Sequence, residues 1–167
     1  IGVRMLSIEP NGKSGSHQRA RVILETALHT SNLRDKIQLS TDAATLDDRY
    51  VDPLIVRGQT YLQLVSLAFS QQAQTSDYKD YLDKARIDFD RAITLDAKNV
   101  WAWVGKGDVL TWLKQLDEAA AAYEQVLELD PFADIARQRL IGVYTTQARR
   151  QADTKSWHQA LATLKKL

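Results

Sequence analysis

The chain has 167 residues, a net charge of +1 and no cysteine, with 44% apolar and 26% charged side chains. That length suits one domain or a short repeat array, and the composition is that of a chain that buries a core. Disulfides, zinc-thiolate sites and cysteine nucleophiles are excluded, the small net charge offers no field for nucleic acid, and no apolar run reaches the roughly 20 residues that span a bilayer.

The chain opens on an apolar run, IGVRML, followed by SIEPNGKS at residues 7–14 and then HQRARVILETALH. Strand, Gly-Lys-Ser, helix is the order of a phosphate-binding loop. The chemistry argues otherwise. Such a loop opens on Gly or Ala so that backbone N–H groups can wrap the phosphate. Here Ser7 stands at the opening and Pro10 has no N–H to give. No later segment reads as a strand that could back the loop. Residues 1–15 are therefore expected to be a linker or arm, with Pro10, Asn11, Gly12, Ser14 and Gly15 as its turn. IGVRML is expected as a strand of an upstream region, or as an arm on the first helices. Lys13 is not expected to hold phosphate, and no nucleotide or other cofactor is implied.

Residues 16–30 and 32–46 read as a helical pair. Residues 61–73 are helix-compatible throughout, and Tyr78, Tyr81, Leu82, Ala85, Phe89, Ala92 and Ile93 form an i, i+3, i+4 stripe. Thr75, Ser76 and Asp77 offer helix N-caps. Residues 100–133 give two helices, and Leu140, Ile141 and Tyr144, then Trp157, Ala160 and Leu164, mark two more.

Laid on itself, the chain repeats. ATLDDRYVDPLIVRG (44–58) aligns without a gap on ITLDAKNVWAWVGKG (93–107), and ELDPFADIARQRLIG (128–142) follows a similar course. Residues 100–133 carry Trp103, Lys106-Gly107, Leu110, Ala119, Tyr123 and Pro131. This resembles the tetratricopeptide repeat, with its W-x2-L-G-x2-Y, A-x3-F and final P in 34 residues. The preceding unit follows with Leu54, Arg57-Gly58, Tyr61, Ala85 and Phe89, and puts Ala97 in the Pro slot. Lys106 and Arg57 replace the usual Leu. A long basic side chain is expected to lay its methylenes on the core and keep its charge in water.

Gly58 and Gly107 are 49 residues apart, and the surplus of 15 falls between Tyr61 and Tyr81. The surplus is expected to lengthen two helices by about two turns each and to project a hairpin tip. In the first unit Ser40 stands where an aromatic is expected; terminal repeats are often atypical because they cap the stack.

The resemblance implies an all-α, right-handed solenoid of about four stacked helical hairpins, with units at about 17–50, 51–99, 100–133 and 134–167. Nothing in it looks catalytic. Histidines 17, 29 and 158 are scattered without metal-ligand spacing, Asp47-Asp48 and Asp130 sit in repeat-end turns, and no nucleophile motif occurs. Residues 100–133 hold 2 basic and 6 acidic side chains, and 134–167 hold 7 basic and 2 acidic, which reads as solvated or mutually packed faces.

What remains is the concave groove that the resemblance implies along the first helix of each hairpin. Counting from an inward Trp103, the groove residues are expected to be Ile55, Val56 and Gln59 on one helix, Trp101, Val104, Asp108 and Trp112 on the next, and Ile135 and Arg139 on the third. Trp101 and Trp112 flank Gly105, so two indoles beside a notch are expected to clamp an apolar side chain while Asp108 accepts a hydrogen bond or pairs with a basic group. The family's chaperone-binding clamp uses Lys and Asn on these helices; here the sites hold Ile55, Gln59, Trp101, Val104 and Gly105, so that use is not implied. The expectation is a non-catalytic protein-interaction scaffold for an apolar or amphipathic peptide, without a metal. The alternative is a regulatory or oligomerisation domain of a larger multidomain enzyme, its groove filled by the same polypeptide or a second copy. The composition leaves the compartment open.

Overall fold

The computed structural model describes residues 13–72 and 75–151, together with 157, 158 and 161. Among these there is no strand, and seven helices follow one another: α1 (Lys13–His29), α2 (Leu33–Leu46), α3 (Asp52–Ser70), α4 (Thr75–Leu95), α5 (Val100–Trp112), α6 (Leu116–Leu129) and α7 (Asp134–Gln151). Each packs on its neighbours in sequence, and α3 also meets α5 as α5 meets α7. Three hairpins plus α7 thus stack as a right-handed solenoid, with the odd-numbered helices sharing one wall. Among the described residues no helix is long and apolar enough to cross a membrane. IGVRML, Ala160 and Leu164 lie outside the described residues.

The helix ends follow from local chemistry. Asn32 accepts the N–H groups of Arg34 and Asp35 ahead of α2, and Asn99 accepts that of Ala102 ahead of α5. Pro53 sits in the first turn of α3, where its missing N–H costs nothing. The repeat-end aspartates all make the same turn: Asp47, Asp96 and Asp130 each accept the N–H two residues on, at 3.1, 3.0 and 3.0 Å. Asp47 also meets Nδ1 of His17 at 2.6 Å, and this hydrogen bond holds its carboxyl below the ordinary aspartate value.

The core is built on a glycine–aromatic lock. A Cβ on Gly107 would stand 2.5 Å from the ring of Tyr123, and one on Gly58 would stand 2.8 Å from the ring of Phe89. The partners are 16 residues apart in the third hairpin and 31 apart in the second, yet the contact is the same. The helices account for the difference: α5 and α6 have 13 and 14 residues, α3 and α4 have 19 and 21. In the first hairpin the residue 16 before Ser40 is Leu24, and both are buried. Bulk has moved from the second helix to the first, which explains the missing aromatic. The exchange leaves the Ser40 hydroxyl buried without a hydrogen-bond partner among the described residues.

Two expectations need correction. Helix α1 takes in Ser14 and Gly15, so these two are helical and do not belong to a linker. The charge of Arg57 is not left in water. Its guanidinium grips the Asp88 carboxylate through two hydrogen bonds, of 2.8 and 2.6 Å, and donates to Thr41 at 3.0 Å. Asp88 is only 3% exposed. The pair ties α2, α3 and α4 together, and the Asp88 hydrogen bond raises the proton affinity of Arg57. Lys106 does reach the surface, where it pairs with Asp90 at 2.8 Å and lies 5.6 Å from the Trp103 ring centre.

Candidate functional site

Two hollows open side by side along the wall of odd-numbered helices. The first, about 590 Å³, lies between α1, α3 and α5. Leu24 and Ile55 give it an apolar base, Val56, Leu28 and Trp101 its sides, and Arg21, Glu25, Asp52 and Gln59 its polar rim. Trp101 stands in the first turn of α5, next to residues that face inward: Ala102 is buried, and Trp103 packs on the core with its indole N–H donated to Ala97 at 2.9 Å. The Trp101 ring is left 56% exposed, and so is Leu28. Tyr50 closes the hollow near the end of α2, its ring set against the edge of His17 at 4.8 Å. Burial, then the adjacent Asp52, pushes the Tyr50 hydroxyl up, so it stays protonated.

The second hollow, about 700 Å³, lies between α3, α5 and α7. Leu62 and Phe69 of the long α3, Asp108 and Trp112 of α5, Lys114, and Arg139 of α7 line it. Gln59 belongs to both hollows. Trp112 is half-buried. It meets Phe69 edge-on at 5.4 Å and Tyr78 at 6.2 Å, so the hairpin tip leans on the end of α5. The Asp108 carboxylate accepts a 2.6 Å hydrogen bond from the Tyr123 hydroxyl and a 2.8 Å contact from Nε of Arg139. Burial, with Asp108 beside it, raises Tyr123 so far that it remains a donor at any physiological pH. Lys114 ends α5 at φ 63°, with the N–H of Gln115 closing on the Leu110 carbonyl at 2.9 Å. This is the left-handed helix stop usually given to glycine.

The expected groove residues therefore divide. Ile55, Val56, Gln59 and Trp101 come together in the first hollow; Gln59, Asp108, Trp112 and Arg139 come together in the second. Val104 (6% exposed) and Ile135 pack into the core between α5, α6 and α7 and line neither. Gly105 is no notch. A Cβ there would stand 2.2 Å from the Phe89 ring, so the apparent gap is where α4 presses on α5. The two indoles consequently do not form one clamp, and Asp108 is already engaged. These errors share a cause: VWAWVGKGDVLTW is apolar on nearly every side, so counting along it does not single out one face. Sequence reasoning also missed α1. Leu24 and Leu28 at i, i+4 were the available signal, obscured by the polar residues around them.

Residues 100–132 match the family model of the tetratricopeptide repeat. No curated protein sequence matches the chain. Solved structures do. The first TPR of Spaghetti (RPAP3), bound to the HSP90 peptide SRMEEVD, is 22% identical over 79% of this chain and 95% of that one, with a TM-score of 0.67. A thermophilic TPR protein of Thermus thermophilus is 22% identical over 93% and 72%, with a TM-score of 0.63. MamA is 20% identical over 96% and 83%, with a TM-score of 0.62. At these identities the likeness is one of fold.

Proposed function

Because this is a tetratricopeptide-repeat protein, by its repeat at 100–132 and by its fold, we propose that it is a non-catalytic interaction scaffold whose concave wall takes an apolar or amphipathic peptide segment. The observation that carries this reading is Trp101. Packing spares its large ring, which stands 56% exposed over a hollow based on Leu24 and Ile55. Burying one large apolar side chain there is worth about 1.5–3 kcal/mol. Gln59 and Arg139 offer hydrogen bonds to a peptide lying along both hollows. Peptide-bound relatives of the same fold make such a use familiar: the RPAP3 repeat was solved with a peptide.

The test is selection of random short peptides displayed against the whole chain. Enriched peptides are expected to carry a large apolar residue and to bind Trp101→Ala at least about tenfold more weakly, since truncating an aromatic anchor costs about 2 kcal/mol or more. A failure to enrich any peptide, or peptides that bind Trp101→Ala as well as the parent, would overturn the proposal.

A further inference from the structure

We infer that the first hollow selects a segment in which a basic side chain stands beside the apolar one, with Asp52 and Glu25 receiving the charge. The inference rests on the peptide-binding reading of the same groove and adds the chemistry of its ligand.

Three charged groups line that hollow: Arg21, Glu25 and Asp52. The carboxylates outnumber the cation, and among the described residues neither carboxylate is held in an ion pair. Both lie close enough to Tyr50 to favour its protonated form, and Arg21 acts in the opposite sense. Tyr50 lines the same hollow as all three. Glu25 and Asp52 are exposed, and Asp52 also takes a hydrogen bond from the Tyr50 hydroxyl, which leaves its charge unpaired. Beside them the Trp101 face and Leu28 are open. A lysine or arginine side chain suits this arrangement, because its methylenes can lie on apolar surface and its cation on an indole face while the charge reaches a carboxylate.

The second hollow cannot serve the same group. Its acid, Asp108, is engaged by Tyr123 and Arg139, and the remaining charges there are the cations of Arg139 and Lys114. Like charge across an interface is a strong bar to the wrong register. The basic residue of a bound segment is thus directed to the α1 end of the groove, which fixes how the segment lies.

The experiment takes the random-peptide selection on the whole chain and repeats the binding measurement with Asp52→Lys, Glu25→Gln and, as a control on the outer face of α6, Glu128→Lys. Selected peptides are expected to pair Lys or Arg with a large apolar residue. Asp52→Lys should weaken them at least about tenfold, Glu25→Gln in the same direction by less, and Glu128→Lys by less than about twofold. Rising salt should weaken the parent complex more than the Asp52→Lys complex. Peptides that need Trp101 but carry no basic residue, or that ignore Asp52→Lys, would overturn this inference and leave the groove reading standing. Peptides indifferent to Trp101 as well, or no enrichment at all, would overturn both.

Discussion

In the first hollow neither carboxylate is held in an ion pair among the described residues and the largest ring, Trp101, is more than half exposed; in the second, Asp108 holds Tyr123 and Arg139, and Trp112 is wedged against Phe69 and Tyr78. The hollows adjoin, share Gln59 and are similar in volume. Size therefore does not tell them apart. What does is whether a side chain's hydrogen bonds and contacts are already met within the fold. An unmet group can contribute to binding; a met one contributes mostly to stability, and truncating it disturbs the fold before it disturbs a partner.

The comparison can be broken most forcefully from behind. Arg57 lies on α3 among the residues that wall the first hollow, but it grips Asp88 of α4 and Thr41 of α2. Replacing it with methionine strands a carboxylate that is 3% exposed. Urea unfolding of Arg57→Met should show a loss of about 3 kcal/mol, and adding Asp88→Leu should recover most of it, because an ion pair replaced whole by apolar groups is often neutral. A loss below about 1 kcal/mol would mean that the wall does not depend on this pair.

A smaller effect is expected at Trp112. It is half-buried among aromatic rings, so Trp112→Ala should cost about 2 kcal/mol, less than a fully buried tryptophan. The same denaturation experiment checks it. A variant as stable as the parent would place Trp112 with Trp101 as a bare ring and erase the contrast between the hollows.

The smallest effect has the opposite sign. Lys114 bears the left-handed penalty at φ 63°. Lys114→Gly should raise stability by about 0.5–1 kcal/mol, the strain relieved less the added freedom of the unfolded chain. Chemical denaturation of this variant beside the parent measures the difference. The substitution would also remove one cation from the second hollow only, and so sharpen the comparison.

Much of the fold was legible because the repeat writes its contacts into residue types. Gly107, Tyr123, Gly58 and Phe89 could be recognised on sequence alone as signature positions of the repeat; that each glycine meets the aromatic ring of its own hairpin is what the structure adds. The turn aspartates were legible for the same reason, since a short polar side chain at a helix end has one obvious use. The site was harder. In α5 the apolar residues surround the helix, and only the packing of Phe89 onto Gly105 reveals which side is inside. Asp108 illustrates a second limit: a lone acid in a sequence reads as available, and nothing local announces that Tyr123 and Arg139, from two other helices, converge on it. Leu24 illustrates a third. Its role became visible only once Ser40, 16 residues later, was seen to be its small, buried counterpart.

The central claim, that the bare ring of the first hollow is kept for a partner, is tested most directly on one variant. Trp101→Ala should be measured for melting temperature and for affinity to the selected peptides on the same preparation. The account predicts a melting temperature within about 2 °C of the parent and an affinity loss of at least about tenfold. A melting temperature lowered by several degrees with affinity unchanged would show that Trp101 serves the fold, and would contradict the account.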